Sequence, residues 1–184
     1  AALQTIEQLS PNSLLSIGYA GGLVSKLDVT DLIVAKQIVD VESSLEFVPD
    51  QQWLQSALNV PARENYKIIS GRLVTADKVI HSPQDKKEFG ERFSAEAVEM
   101  ETSAIAKVAT DKNLPFLSVR AISDSVEQEI LDSSSFLGSD GEISKLKAGW
   151  YVLTHPGSIA SALSLRSQTL RATRTMTEFV FHLL

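Results

Sequence analysis

Short apolar runs alternate along this chain with segments whose apolar positions return every three or four residues. The runs LLSIGYA (14–20), DLIVAKQIVDV (31–41), YKIISGRLVTA (66–76) and PFLSVRAIS (115–123) are apolar and rich in β-branched residues, and they predict strands. The last is apolar enough for a strand covered on both faces. A glycine turn, Gly21-Gly22, is expected to end the first, and Gly71 to mark a bend or bulge in the third.

Helical spacing fills the intervals. AALQTIEQL (1–9) sets Leu3, Ile6 and Leu9 on one side, and PDQQWLQSAL (49–58) does the same with Trp53, Leu54, Ala57 and Leu58. SPQDKKEFGERF (82–93) opens with Ser82 at the cap position, Pro83 at the first helical position and Asp85 three after the cap, a complete start signal. ETSAIAKVATDKN (101–113) puts Ala104, Ile105, Val108 and Ala109 on one face. Strand and helix alternate through the body, so the class is α/β: three layers, α/β/α, around a mixed, mostly parallel sheet, in one domain over 1–184. Residues 124–141 are polar and turn-rich and read as a long loop or lid, and the tail from 142 is helical in pattern, broken at Pro156.

In such folds ligands gather beyond the carboxyl ends of strands. That draws attention to AVEMETSAIA (97–106), where Glu99 and Glu101 flank Met100 between a short strand and an alanine-rich helix. Strand alternation sends residues 99 and 101 the same way, with Met100 opposite or turned by the bend. A carboxylate accepts from two neighbouring hydroxyls at once, which suits Glu101 to a ribose diol. The next strand delivers Asp124 to the same sheet edge. Position alone favours a plain structural reading, with Glu101 favouring the helix N-terminus and Asp124 capping a turn. Arg120, inside an apolar strand, needs a partner if buried: a site carboxylate or a structural ion pair.

Composition narrows the classes. A net charge of −6 with no basic face in the body argues against nucleic-acid binding. Without cysteine there is no disulfide, thiolate nucleophile or cysteine metal site, and His81, His155 and His182 lack ligand spacing, so no metal is expected. No apolar run reaches membrane-spanning length and no signal-peptide pattern opens the sequence, so a cytoplasmic location is the expectation. Residues 142–184 carry a local +3, leaving −9 for the rest. This basic arm fits a packing or oligomer helix better than a membrane-surface element in which Leu163, Leu170 and Met176 would bury.

GYAGGL (18–23), LDVTDLIVA (27–35), TADKVI (75–80), AVEMETSAIA (97–106) and LPFLSVRAISD (114–124) stand in the order and approximate spacing of the purine nucleoside phosphorylase superfamily. They most resemble its methylthioadenosine/S-adenosylhomocysteine nucleosidase branch, and the tail is similar to that of hopanoid-associated phosphorylases. The resemblance implies cleavage of the N-glycosidic bond of an adenosine-type nucleoside, 5′-substituted or lipid-linked, with release of adenine. It implies that Glu101 holds the ribose 2′ and 3′ hydroxyls, Met100 packs on the sugar and Glu99 shapes the pocket. Asp124 would donate a proton towards purine N7, steadied by Ser123, with Val79 or Ile80 near the base and Tyr19, Ala20 and Gly21 along the wall. To act as an acid, Asp124 is expected to be buried with its neutral form hydrogen-bonded. No cofactor is implied, phosphate being a co-substrate only in phosphorolysis, and a homo-oligomer, a dimer or larger, is the expected assembly.

Three departures qualify the resemblance. No residue here matches the family's first sheet segment, which carries a phosphate loop or the water-activating carboxylate, so a more open sheet is expected. Tyr19 replaces the usual Ser or Thr and would fill the space that meets phosphate or water. Beside it, Ser16 and Ile17 stand where phosphorylases often carry an arginine, which favours water over phosphate as the attacking group. Third, the segment between DLIVAKQIVDV (31–41) and the helix at 49 is short, so a partner subunit's contribution to the pocket is expected to be reduced or altered. Tyr19 and the unmatched segment also suit a second reading, a catalytically silent nucleoside-binding or assembly protein.

Overall fold

The computed structural model of the chain describes residues 2–62, 65–130 and 157–184, with the side chains of the last helix from 167 onward. In chain order the elements are α1 (Ala2–Leu9), β1 (Leu14–Gly22), β2 (Leu32–Asp40), β3 (Glu46–Phe47), α2 (Gln51–Leu58), β4 (Ile68–Thr75), α3 (Pro83–Phe93), β5 (Ala97–Glu99), α4 (Thr102–Asp111), β6 (Phe116–Asp124) and α5 (Gly157–Leu183). The capping signals act as their chemistry requires. Asp50 accepts from Trp53 N to start α2, and Ser82 accepts from Asp85 N to start α3 behind Pro83. Residues 131–156, which hold most of the expected lid and the first part of the basic arm, lie outside the described residues.

The sheet runs β3-β2-β4-β5-β1-β6, and β2 pairs again with β6. One edge of β2 carries β4 along its length; the other carries β6 at Leu32–Val34 and β3 at Ile38–Val39. The strands β2, β4, β5, β1 and β6 therefore form a closed ring, which corrects the expectation of a more open sheet. The two long ladders, β1 with β6 and β2 with β4, are parallel, whereas β2–β6 and β1–β5 are antiparallel, so the sheet is mixed and mostly parallel.

Two glycine expectations are also revised. Gly21 and Gly22 belong to β1 itself, paired with Val98 and Ala97, and do not form a turn. The irregularity expected at Gly71 lies on the neighbouring strand, where the register shifts between Ala35 and Gln37 opposite Gly71 and Arg72. A bulge of this kind bends and twists its strand.

Helices cover the ring on both sides. Ala106 and Ala109 of α4 join a core with Ile33, Ala35, Leu73, Ala97 and Ile122, while Leu54 and Ala57 of α2 and Ala172 and Phe179 of α5 cover Leu32, Val34, Leu117, Val119 and Ala121. A third cluster sets Phe89 and Phe93 of α3 against Val39, Val74 and Val98. On α5 the face towards the sheet carries Ala172, Thr175, Met176 and Phe179, and Arg171 and Arg174 are exposed, the arrangement of a packing helix. Leu170, expected on the apolar side, is 63% exposed. Among the described residues no helix is long and apolar enough to cross a membrane.

Phe179 is fully buried and Phe181, two residues on, is 81% exposed. Phe179→Ala should cost about 3–5 kcal/mol of stability, and Phe181→Ala should stay within about 0.5 kcal/mol, both read from urea denaturation midpoints.

Candidate functional site

The end of β1, the short β5 and the end of β6 converge on a cavity of about 470 Å³. The ten residues that the family resemblance places at the site line it: Tyr19, Ala20 and Gly21 from β1, Val79 and Ile80 from the segment before α3, Glu99, Met100 and Glu101 at the β5–α4 junction, and Ser123 and Asp124 closing β6. The approach differs from the expected single sheet edge. Because β5 runs antiparallel to β1 while β6 runs parallel to it, the glutamates and Asp124 reach the cavity along strands of opposite direction.

Glu99 and Glu101 have separate tasks, although strand alternation puts them on one face. Glu99 is buried, and its carboxylate accepts from the backbone N–H groups of Glu101 (3.0 Å) and Thr102 (2.9 Å) and from the Thr75 hydroxyl (2.6 Å). It therefore caps α4, where a negative charge also meets the favourable end of the helix dipole. Arg120, 1% exposed, faces it at 3.2 Å and also reaches the hydroxyls of Ser16 (2.8 Å) and Thr102 (2.7 Å). Burial pushes the Arg120 guanidinium below its ordinary value, and the charges of Glu99 and Glu101 oppose that shift. The partner of Arg120 is Glu99, which both lines the cavity and serves the fold as the cap of α4.

Glu101 is left over for other work. It occupies the cap position of α4 without any side-chain capping bond, is exposed, and accepts from no donor among the described residues. The plain reading that it serves the helix N-terminus passes instead to Glu99. Met100 beside it is 49% exposed, and Val79 is 42% exposed, while Ile80 is buried. These apolar groups leave the cavity with surfaces on which a flat or sugar-like ligand can pack.

Asp124 is 4% exposed. Its Oδ1 accepts from the Ser123 hydroxyl at 2.7 Å and its Oδ2 from the ammonium of Lys86 at 2.6 Å, a partner that went unrecognised in the sequence. The Ser123 hydroxyl also lies 3.3 Å from the Ala20 carbonyl oxygen, so the partners of Asp124 are one hydroxyl shared with the backbone of β1 and one ammonium. Gly21 makes the approach feasible, since a Cβ there would lie 2.9 Å from Asp124 Oδ2. Tyr19 differs from expectation as well: its hydroxyl bonds Thr173 of α5 at 2.6 Å and is thereby turned to the helix.

A second polar chain supports the junction from behind. Ser103 N donates to Thr75 Oγ1, and the Ser103 hydroxyl donates to Asp40, which also accepts from the N–H and hydroxyl of Ser43. The Ser103 hydroxyl first, and then the Ser43 N–H, hold the Asp40 carboxyl below its ordinary value of 3.8.

Two predictions follow from these networks. Glu99→Gln leaves a buried guanidinium without its counter-charge and should destabilise the protein by about 3–5 kcal/mol, whereas Glu101→Gln should change stability by less than about 0.5 kcal/mol, compared by urea unfolding. Asp40 stabilises the fold fully above the unfolded carboxyl's titration and loses that contribution as pH falls through its lowered native value. Ser103→Ala should therefore move the Asp40 titration upward towards 3.8 in an NMR pH series and reduce the stability gained between acid and neutral pH.

Comparison with known proteins fits this geometry. A 5′-methylthioadenosine/S-adenosylhomocysteine nucleosidase of Staphylococcus haemolyticus is 33% identical over 143 residues, which cover 67% of this chain and 63% of that protein, so the chain spans under two thirds of the relative's length. Among solved structures, the nucleosidase of the same name from Helicobacter pylori, bound to butyl-thio-DADMe-Immucillin-A, matches with a TM-score of 0.72 over 99% of this chain and 72% of that one at 20% identity. The futalosine hydrolase of Helicobacter pylori matches with the same TM-score and identity over 99% of this chain and 71% of its own. These two likenesses are likenesses of fold. The family model of the phosphorylase superfamily matches residues 1–148, and with the nucleoside phosphorylase fold already in view, this chain belongs to the phosphorylase superfamily.

Proposed function

We propose that the protein cleaves the N-glycosidic bond of an adenosine-type nucleoside and releases adenine, with water as the attacking group. One observation carries the reading: a carboxylate with no donor among the described residues, Glu101, shares a cavity with a buried, tethered carboxylate, Asp124. Glu101 accepts from the two adjacent hydroxyls of a ribose, and Met100 packs against the sugar ring. Asp124 stands at the purine, with Val79 and Ile80 against the base. As the bond breaks, positive charge grows on the ribose and negative charge on the purine, so an anion beside the sugar and a proton delivered to the base both lower the barrier.

The nucleosidase names of the relatives support this reading. Hydrolysis is favoured over phosphorolysis because Arg120, the arginine nearest the β1 segment, is spent on Glu99, and no arginine lines the cavity among the described residues. Tyr19 had favoured a silent scaffold; with its hydroxyl held by Thr173 it no longer argues for one.

The test is adenine released from adenosine, methylthioadenosine and S-adenosylhomocysteine, each with and without phosphate. Release independent of phosphate is expected. Asp124→Asn should lower kcat by roughly 10² to 10⁴, while Glu101→Ala should act mainly on KM. Unchanged turnover in Asp124→Asn contradicts the assignment.

A further inference from the structure

Lys86 is fully buried, which is rare for a lysine, and it reaches its place because α3 packs closely on the chain beyond β1. Gly90, one helical turn later on the same face, makes that packing feasible: a Cβ there would stand 2.9 Å from the carbonyl oxygen of Leu23. From this face the Lys86 Nζ enters the wall of the cavity.

An ammonium has three hydrogens, and each has an acceptor here. Nζ lies 2.6 Å from Asp124 Oδ2, 2.8 Å from the Gln128 carbonyl oxygen and 3.0 Å from that of Ser125. With its donors taken, Lys86 has none left for a ligand. Two of the three acceptors are amide carbonyls, too weakly basic to take up a proton. The third is a carboxylate at the short distance of a charge-assisted bond, so one direction is open for proton transfer. Asp124, for its part, meets the Ser123 hydroxyl and the Lys86 ammonium among the described residues. The ammonium is the one cation that touches it there, and its proton lies on the line to Oδ2.

We propose that Lys86 is the source of the proton the leaving purine receives, handed over through Asp124. This rests on the nucleosidase reading above and specifies how its acid works. The ammonium passes a proton from Nζ to Asp124 Oδ2, giving a neutral acid beside a neutral amine. As the C1′–N9 bond breaks, its electron pair moves into the purine, and the carboxylic acid gives that same proton to N7. Water adds its oxygen to C1′, and the proton it sheds restores the ammonium. Nucleoside and water become adenine and free sugar, with no charge gained or lost. Lys86 thus acts through Asp124 as a positioning residue and a proton reserve, never touching the substrate.

Other charged and titratable groups share this wall. Lys78, Glu99, Glu101 and Tyr19 line the cavity, and the exposed Lys87–Glu127 pair lies beside the α3 anchor at 2.9 Å. Glu99 is committed to Arg120.

The experiment measures the pH dependence of kcat for adenine release by the wild-type protein and by Lys86→Arg. The expected wild-type kcat does not fall on going from mildly acid to neutral pH, because its proton is drawn from an ammonium and not from a carboxylic acid. Arginine keeps the positive charge beside Asp124 yet does not release its proton. Lys86→Arg should therefore bind substrate with KM within about threefold while losing at least roughly 10² in kcat. A wild-type profile that descends through the carboxylic-acid range, or a Lys86→Arg enzyme as fast as wild type, overturns the proposal. Should Lys86→Arg fail to fold, as monitored by thermal unfolding, the wild-type profile decides alone. Absence of adenine release at every pH is a different result: it rejects the nucleosidase reading itself.

Discussion

Arg120 lies in the middle of β6, and the β5–α4 side of the cavity is arranged to keep its charge satisfied. A guanidinium taken out of water is costly unless a counter-charge and further acceptors meet it. Glu99 supplies the charge, and Ser16 from β1 and Thr102 from α4 supply oxygens. Because those partners come from β1, β5 and the start of α4, the single cation fixes how the end of β5 turns into a helix. Thr75 of β4, Ser103 and Asp40 extend the same chain of bonds outward, so the antiparallel meeting of β1 and β5 is held from both faces. The groups that hold this junction stand on strands and on the first turn of a helix, which favours a precise site.

That arrangement divides two neighbouring glutamates by consequence. Glu99 is consumed by the fold: it caps α4 and neutralises Arg120. The cap being taken, Glu101 makes no side-chain bond among the described residues and remains an exposed acceptor at the cavity. Asp124 shows the opposite economy, fixed by Ser123 and Lys86 before any ligand arrives, with Gly21 leaving the space it occupies. One free carboxylate and one tethered carboxylate, facing the same cavity, form a pair suited to a substrate that grows positive at one end and negative at the other.

Much of this was legible in the sequence. The apolar runs and helical spacings match the observed strands and helices within a few residues, and the Ser82-Pro83 start of α3 is a local signal with a local cause. Resemblance of ordered motifs brought together all ten cavity residues named in advance, among them Glu101 and Asp124. What escaped was non-local. Closure of the ring depends on β2 offering one edge to both β6 and β3, a matter of register that no window of sequence displays. The unequal roles of Glu99 and Glu101 depend on where the strand ends, since one residue of bend defeats alternation. Lys86 and Lys87 look alike in a polar helix. Only Gly90, spaced one turn from Lys86, hints that this face is pressed against the body, and glycine in a helix has that meaning only once its neighbour is known.

The most direct test of the central claim is the crystal structure of the protein with an adenine C-nucleoside, whose carbon–carbon bond between base and sugar cannot be cleaved. The account predicts both ribose hydroxyls within hydrogen-bond distance of the Glu101 carboxylate and the N7 edge of the base against Asp124, with the Asp124–Lys86 contact intact. A ligand bound with its sugar at Asp124, or held outside this cavity altogether, would contradict it.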